Sequence, residues 1–206
     1  DVCSSDLISG QTGLLLRWGK DDPKQLDKSL NAIKTEAKTM QAIIANLLQM
    51  SRIESGRIKP QITEVSLKGL FSWLCEEVKA FAPNVKIAAE ETDLLLKTDS
   101  EMLHQILMII ISNSVKYAGE SCEISLKAYK RGGHIVLELS DDGQGFTEES
   151  LPHIFERFYR ADESHTRKIA GSGLGLSIAQ TLCNALNAKI SARNKSPHGA
   201  CFEIEF

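Results

Sequence analysis

A glycine-rich turn near the end of the chain is the first feature whose residue types could do chemistry. Residues 171–179 read G-S-G-L-G-L-S-I-A, in which three alternate glycines lead into an apolar, helix-compatible run. Glycine permits positive φ and lets a ligand approach bare N–H groups. A helix that begins there points its unpaired N–H groups and positive dipole end into the turn. The turn predicts a phosphate site, although it matches neither the P-loop nor the dinucleotide motif, and an ordinary turn is the alternative.

A second turn carries a carboxylate where a predicted strand ends. The turn Asp141-Asp-Gly-Gln-Gly145 directly follows Leu139 and Ser140. Its carboxylate can accept a hydrogen bond from a ligand pressed against the turn, and the exocyclic amine of adenine is a suitable donor. A plain β-turn is the alternative reading, because D-D-G is common in turns.

An amide within an apolar helix is a candidate metal ligand. Asn113 is surrounded in sequence by leucine, isoleucine and valine, so we expect it to be buried and to need a partner. Mg²⁺ accepts neutral oxygens alongside phosphate oxygens and waters. A structural amide that bonds a nearby strand explains the residue equally well. Lys116 and Tyr117 follow about one turn later and bring a cation and a ring near the same face.

An aromatic and basic segment precedes the glycine turn. Residues 154–162 read I-F-E-R-F-Y-R-A-D, and the polar stretch Glu163 to Ala170 follows without apolar periodicity. Mobile polar loops beside a phosphate turn can act as lids, so we expect this stretch to close over a ligand. A surface connection without such a role is the alternative.

The composition limits the function classes. The chain has 206 residues, with 24 Lys+Arg against 27 Asp+Glu and a net charge of −3. It shows no basic stripe interleaved with aromatic residues, which argues against a nucleic-acid partner. Its longest apolar run, Ile106 to Ile111, is far shorter than the ~20 residues of a membrane helix. Five scattered cysteines indicate reduced thiols in a cytoplasmic protein rather than a disulfide framework or zinc site.

Two helices are predicted before these motifs. Ile8 to Trp18 is apolar on one side, and a turn follows in which Asp22 caps the next helix ahead of Pro23. That helix runs from Lys24 to about Arg57, with a heptad seam at Leu26, Leu30, Ile33, Ala37, Met40, Ile44 and Leu47. The seam indicates helix-on-helix packing. Because the first helix is too short to cover it, either a second chain covers the seam or the partner helix is truncated.

The rest of the chain predicts an α/β domain. Ser55 and Gly56 end the long helix, and we place the domain boundary between residues 1–60 and 61–206. The predicted elements are a helix over Val65–Phe81, strands at Val85–Ala88 and Leu94–Lys97, a helix capped by Asp99 and running through Tyr117, and period-two strands near residues 124–128, 135–139 and 202–206. The fold class is therefore α+β: a helical hairpin, half of a dimeric four-helix bundle, then a two-layer sandwich with helices on one face of a mixed sheet.

Four motifs in a fixed order point to a family. The segments S-N-S-V-K-Y, D-D-G-Q-G-F, I-F-E-R-F-Y-R-A-D and G-S-G-L-G-L-S-I-A resemble the N, G1, F and G2 boxes of the ATP-binding domain of bacterial sensor histidine kinases. This resemblance covers Val65 to Phe206. The hairpin, with S-R-I-E-S-G-R-I at its end, resembles the family's dimerisation and phosphotransfer bundle. The resemblance implies ATP and Mg²⁺ as cofactors, a homodimer formed through the hairpin, and a response-regulator receiver domain as partner.

The resemblance also implies a role for each matching residue. For the base and the metal, Asn113 would hold Mg²⁺, Tyr117 would border the nucleotide, and Asp141 would bind the adenine amine while Gly143 and Gly145 let the base approach. For the lid, Phe155 and Phe158 would anchor it to the domain. For the phosphates, Lys116 would meet the chain, Arg157 or Arg160 would approach the γ-phosphate, and the turn of Gly171, Gly173, Leu174 and Gly175 would wrap the triphosphate. Such cations and helix-terminal donors offset the charge on a transferred phosphoryl group.

Two substitutions depart from the family's pattern at the nucleotide site. Ile109 stands where the family usually has a second asparagine, one turn before Asn113. An isoleucine cannot ligate a metal, so we expect weaker Mg²⁺–ATP binding than in typical relatives. Asp142 stands where an asparagine is common and adds a negative charge near the base, with a minor expected effect.

The larger departure concerns the phosphoacceptor. The family's acceptor histidine opens an H-E-x-x-x-P box, and the sequence contains no such box. Its five histidines are His104, His134, His153, His165 and His198. We therefore expect a chain that binds ATP but does not phosphorylate itself. The first seven residues, D-V-C-S-S-D-L, resemble a translated sequencing adapter, with a capped N-terminus as the alternative, so we expect the natural sequence to be readable from near Ile8.

Two function classes remain open from the sequence. The first is a kinase: the ATP-binding core of a two-component sensor histidine kinase that transfers the γ-phosphate to a histidine missing from this chain and then to a response regulator. The second is a nucleotide-binding, dimerising module of the same fold without transfer activity. Chaperone, topoisomerase and mismatch-repair ATPases share the glycine boxes but not the heptad hairpin, which favours the histidine-kinase branch. Membrane attachment of the parent protein is an expectation from the family.

Overall fold

The computed structural model describes residues 2–18, 23–119, 121–160 and 172–206. These residues form two compact units, Asp1–Gln49 and Met50–Phe206. The predicted boundary near residue 60 stays a prediction. The predicted turn with Asp22, the predicted lid at 163–170, and Gly171 lie outside the described residues.

The first unit consists of the two predicted helices. Helix α1 spans Val2–Trp18, and α2 spans Pro23–Glu54 and continues into the second unit. Along the predicted heptad seam of α2, Leu30 is 49% and Ile44 is 55% exposed in the single chain. The seam therefore has apolar surface for a partner to cover. No helix among the described residues is long and apolar enough to cross a membrane.

The end of α2 follows from a glycine. Gly56 has a φ of +68° and donates its N–H to the Ile53 carbonyl, while the N–H of Arg57 reaches back 2.9 Å to the Arg52 carbonyl. This left-handed residue satisfies carbonyls that the helix would otherwise leave unpaired. The prediction that Ser55 and Gly56 end the helix is confirmed.

The second unit begins with a strand that the sequence analysis assigned to a helix. Strand β1, Thr63–Ser66, pairs antiparallel with β3, Leu95–Thr98. Helix α3 then spans Leu67–Phe81, because the Ser66 hydroxyl accepts the N–H of Gly69 and caps the helix. The predicted start of this helix at Val65 is wrong, since a strand of four residues gives too few apolar alternations to be recognised.

The main sheet is mixed, as predicted. Its strands are β2 (Lys86–Ala89), β4 (Glu123–Arg131), β5 (His134–Asp141), β6 (Lys189–Asn194) and β7 (Ala200–Glu205), in the order β2-β4-β5-β7-β6. The β2–β4 pair is parallel and the other pairs are antiparallel. Helices α3, α4 (Ser100–Ala118) and α5 (Gly175–Ala185) pack on the sheet in a two-layer sandwich. The edge strand β6 was not predicted, because its sequence K-I-S-A-R-N offers little apolar alternation.

The start of α4 is fixed by Asp99. Its Oδ1 accepts the N–H groups of Glu101 and Met102, each at 3.0 Å, and its Oδ2 accepts the N–H of Gln61 at 2.7 Å. The side chain thus caps α4 and ties it to the segment before β1, as the helix-cap prediction required. From this start, α4 runs through fully buried positions such as Leu103, Ile106 and Ile110, and it carries the candidate site residues near its other end.

The turn before β7 places its backbone directly against β5. Gly199 has a φ of +112°, and a Cβ built there would lie 2.1 Å from the carbonyl oxygen of Asp141. Only glycine allows both the backbone angle and this approach. The next residue, Ala200, donates its N–H to the Asp141 carboxylate at 3.0 Å, so this close approach positions one of the candidate site residues.

Gly199→Ala is expected to destabilise the protein far more than Gly132→Ala. Both glycines have positive φ, but a Cβ at Gly132 meets nothing within 4 Å. The Gly132 substitution should cost about 1 kcal/mol of backbone strain, whereas the clash at Gly199 should bring its cost to roughly 3 kcal/mol or more. Urea denaturation of both variants measures the difference in the free energy of unfolding, and equal losses would contradict the proposed packing.

Candidate functional site

The predicted motifs meet at one cavity of about 370 Å³ in the second unit. This volume is typical of a small-ligand pocket. The cavity is lined by residues of the N, G1, F and G2 motifs, namely Asn113 and Tyr117 from α4, Asp141, Gly143 and Gly145 from the turn after β5, Arg160 from the aromatic segment and Leu176 from α5. The other described residues predicted for the lid anchor and the glycine turn do not line it, namely Phe155, Phe158, Gly173, Leu174 and Gly175.

The Asp141 carboxylate is the most firmly held group of the cavity. Its residue is 5% exposed. Oδ1 accepts the N–H groups of Gly143 and Ala200, both at 3.0 Å, and Oδ2 accepts the hydroxyl of Ser114 at 2.7 Å. Hydrogen bonds to a carboxylate are charge-assisted and strong. The turn after β5, strand β7 and helix α4 therefore all orient this side chain.

A buried thiol, that of Cys122, lies near the Asp141 carboxylate. Cys122 has its Sγ 3.9 Å from the carbonyl oxygen of Ser114. Burial raises the pKa of the Cys122 thiol, and the nearby carboxylates of Asp142 and Asp141 raise it further. The thiol therefore stays protonated and can act as a weak donor to the Ser114 carbonyl.

The start of α5 lies beside Asn113. A Cβ built on Gly175, the first residue of α5, would lie 3.9 Å from Asn113 Nδ2 and 3.4 Å from Ile109 Cγ2. Among the described residues, no side chain caps this helix at Leu174, so its first-turn N–H groups can bind an anion. Asn113 is half-buried rather than buried as the sequence suggested. An amide and a helix N-terminus are therefore close together at this end of the cavity.

Packing within the protein requires glycine at both glycine positions of the turn after β5. A Cβ on Gly143 would lie 2.6 Å from the Cβ of Ala118, and one on Gly145 would lie 2.7 Å from Asn194 Oδ1. The Asn194 amide also accepts the N–H of Phe146 and donates to its carbonyl. Larger residues at either glycine would displace the turn. The prediction that these glycines admit a base stays a prediction.

The aromatic segment is joined to the glycine turn by its backbone. The N–H of Phe158 donates to the carbonyl of Gly173 at 3.0 Å, and a Cβ on Gly173 would lie 2.7 Å from the Phe158 carbonyl carbon. Phe158 itself has a φ of 63° and is 56% exposed. The side chain of Phe158 is therefore not buried as an anchor would be, and this residue makes its contact through the backbone. In the same segment, Ile154 is buried and Phe155 is half-buried.

The predicted cations separate into two groups. Arg160 lines the cavity, whereas Lys116 and Arg157 do not. The Lys116 ammonium lies 4.8 Å from the ring centroid of Tyr117, and the Arg157 guanidinium pairs with Glu54 at the end of α2. Leu174 is fully buried and precedes α5, so its contribution to the turn is through the backbone and the core.

Several residues of the cavity wall were not predicted. Ser114 belongs to the S-N-S-V-K-Y motif and could have been found from its position next to Asn113. Thr147 and Ser150 line the cavity from the loop after the turn, where only their polar character gives a signal. Ala200 contributes a backbone N–H from a strand 59 residues away from Asp141, and no sequence pattern reveals such a contact.

One cluster of possible metal ligands lies elsewhere. Among the described residues, Glu138, Cys201 and Glu203 are the only group of three or more such side chains with ligand atoms within 4.8 Å of one another. Arg131 and Arg193 pair with its carboxylates. The hydrogen bond from Arg131 lowers the pKa of Glu203, and burial raises the pKa of Cys201 to about 11. None of the three lines the cavity, and ion pairing explains the cluster.

Comparisons with known proteins agree with this arrangement. Residues 98–206 match the family described as histidine kinase-, DNA gyrase B- and HSP90-like ATPase, and residues 7–56 match the His Kinase A (phospho-acceptor) domain. The chain is 32% identical over 200 residues to the sensor histidine kinase YkoH of Bacillus subtilis (strain 168), which covers 97% of this chain and 44% of YkoH. The chain thus spans less than half the length of this relative.

Solved structures show the same fold. Histidine kinase ThkA, in a complex with the response regulator protein TrrA, has a TM-score of 0.74 at 24% identity, covering 98% of this chain and 58% of that one. Full-length ShkA, in a complex with AMPPNP, has a TM-score of 0.71 at 23% identity, covering 99% and 44%. Since both matched regions and the order of the motifs agree, the chain belongs to the bacterial sensor histidine kinases, with a dimerisation hairpin of the phospho-acceptor type followed by an ATP-binding domain of the histidine-kinase ATPase type.

Proposed function

We propose that the chain is the ATP-binding kinase core of a two-component system, which binds Mg²⁺–ATP and transfers its γ-phosphoryl group to a histidine and thence to a response regulator. The observation that carries this proposal is the cavity in which the Asp141 carboxylate, the Asn113 amide and the N-terminus of α5 meet. The solved complex of ShkA with AMPPNP, an ATP analogue, supports the choice of nucleotide.

Asp141 is proposed to select the base. Its carboxylate has room for about four hydrogen bonds, and the protein supplies three of them. The position that remains can accept one N–H of the adenine amine. Because the carboxylate is already oriented by the protein, the base would meet an acceptor that needs no rearrangement.

The triphosphate is proposed to extend from the base toward α5. The uncapped first turn of α5 offers N–H groups and the positive end of the helix dipole. Arg160 lies on the cavity wall and would add a full charge near the phosphates. Lys116 and Arg157 would have to leave the contacts described above in order to approach the γ-phosphate.

A magnesium ion fits this donor set. Asn113 offers one neutral amide oxygen beside the start of α5, and Mg²⁺ commonly takes one or two protein ligands together with phosphate oxygens and waters. The fit is that of an ion that arrives with the nucleotide rather than one held in a protein cage. When bound, Mg²⁺ would neutralise charge on the phosphates.

The acceptor histidine is proposed to lie outside residues 1–206. The segment that matches the phospho-acceptor domain, residues 7–56, contains no histidine, since the first histidine of the sequence is His104. The match relates the chain to the histidine kinases but does not identify a phosphoacceptor residue. A longer form of the protein or a partner chain would supply it.

The partners are proposed from the hairpin and from the solved relatives. A second copy of the chain would cover the exposed Leu30 and Ile44 of α2 and form a four-helix bundle. ThkA has been solved with the response regulator TrrA, which supports a receiver domain as the second partner. We place this part of the protein in the cytoplasm, with membrane anchoring left to the parent protein.

Two observations favour a second function, that of a nucleotide-binding, dimerising module without transfer activity. Residues 7–56 contain no histidine, and both Lys116 and Arg157 contact protein groups. The two functions share the cavity and differ only in phosphoryl transfer, so a transfer assay separates them.

Asp141→Asn is expected to weaken binding of Mg²⁺–ATP by roughly tenfold or more, because an amide cannot accept all the hydrogen bonds that the carboxylate accepts. The matched control is Asp142→Asn, which removes the same charge one residue away but keeps the oxygen that accepts the N–H of Glu123. That control should bind nearly as the wild type does. Isothermal titration calorimetry decides, and equal effects of the two variants would count against a base-binding role.

Ile109→Asn is expected to tighten Mg²⁺–ATP binding by a factor of about three to ten, the size of one added polar contact. Ile109 lies one turn before Asn113 and against Gly175, so an amide there would face the same region. The gain should appear with Mg²⁺ and vanish in the presence of a chelator. No gain, or the same gain without the metal, would contradict the assignment of this face to the metal.

Phosphoryl transfer is expected in trans but not within the chain. The wild-type chain, mixed with a histidine kinase that carries an intact acceptor box but cannot bind ATP, should label that partner from γ-labelled ATP. Arg160→Ala should reduce the rate at least tenfold, because a charge near the phosphates is lost. Acid-labile label on the chain alone would refute the acceptor proposal, and ATP binding without any label on the partner would favour the non-transferring module.

A further inference from the structure

The hydroxyl of Ser114 has a position that the proposed roles of its neighbours leave unexplained. Ser114 is 3% exposed and lines the cavity next to Asn113. Its Oγ lies 2.7 Å from Asp141 Oδ2, the one carboxylate oxygen that receives no backbone N–H. The hydroxyl therefore touches the acceptor that is proposed to bind the base.

The direction of this hydrogen bond is fixed by chemistry. An ionised carboxylate can only accept, so the single hydroxyl hydrogen of Ser114 must point at Asp141. The oxygen of Ser114 then has only lone pairs left for the ligand. Without the Ser114 hydroxyl, Oδ2 would have two free hydrogen-bond positions, and a ligand donor could approach it from a wider range of directions.

We propose that Ser114 is a specificity-determining residue that makes this end of the cavity select a purine with an amine at C6. This inference rests on the proposed function, since it concerns the same nucleotide site. The amine donates to the last free position of Asp141 Oδ2, and the two side-chain oxygens that meet there, Asp141 Oδ2 and Ser114 Oγ, both act as acceptors toward the ligand. An oxygen at C6 would face the lone pairs of Ser114 and of the carboxylate, which repel it.

The selectivity can be expressed as a ratio of nucleotide affinities. A donor that matches a charged acceptor contributes more than a neutral hydrogen bond, and a mismatched acceptor leaves a buried polar group unpaired. Removal of the Ser114 hydroxyl is thus expected to reduce the preference for the amine by about tenfold. The affinity for a purine that has neither an amine nor an oxygen at C6 should change little.

The test is a series of nucleotides that differ at C6, titrated by calorimetry into the full chain with Mg²⁺ held constant. ATP carries the amine, purine riboside triphosphate carries hydrogen, and inosine triphosphate carries oxygen. In Ser114→Ala, the ratio of ATP affinity to purine riboside triphosphate affinity should fall about tenfold, and discrimination against inosine triphosphate should shrink. The control Ser72→Ala removes a helical hydroxyl that bonds the Lys68 carbonyl and should leave all three affinities unchanged.

Each outcome decides the inference. If the wild type binds none of the nucleotides, the proposed function itself fails. If the wild type binds ATP but Ser114→Ala weakens all three nucleotides equally, or none, Ser114 has a structural role only and the inference is overturned. If Ser114→Ala does not fold by circular dichroism, Ser114→Cys replaces it, because a thiol of similar shape is a poor donor and should lose most of the preference; a retained preference would overturn the inference.

Discussion

The Asp141 carboxylate holds the candidate site together. It is a nearly buried carboxylate, and three hydrogen-bond donors stabilise it. A buried charge with fewer donors would be costly. The donors come from α4, from the turn after β5 and from the start of β7, so the fold must bring α4 and β7 against this turn before all three hydrogen bonds can form.

That requirement explains the glycines around the turn. Gly199 allows the backbone before β7 to approach the Asp141 carbonyl, and Gly143 allows the turn to pass against Ala118. A third glycine, Gly173, likewise packs on the backbone of Phe158. In each case a missing side chain allows two segments of the chain to approach closely.

The sequence predicted those parts of the fold that have local signals. The cap at Asp99, the stop at Gly56 and the apolar alternation of the central strands each depend on residues close in sequence, and they were found. Strand β1 and strand β6 were missed because four residues and a polar edge strand give weak periodicity. The cavity was predicted from motif order, whereas the donors to Asp141 from Ser114 and Ala200 depend on tertiary contacts that local patterns do not encode.

The cavity alone does not specify the reaction. The family that matches residues 98–206 includes gyrase-like and HSP90-like ATPases, which shows that one nucleotide fold can serve different chemistries. What distinguishes this chain is the hairpin before it, with its phospho-acceptor match over residues 7–56 and its exposed heptad seam. The two matched regions therefore differ in what they indicate: residues 98–206 belong to a nucleotide-binding ATPase fold, and residues 7–56 relate that fold to the phospho-acceptor hairpins of histidine kinases. A kinase function needs both, because a well-formed nucleotide site without an acceptor beside it can bind ATP but has no protein group to phosphorylate.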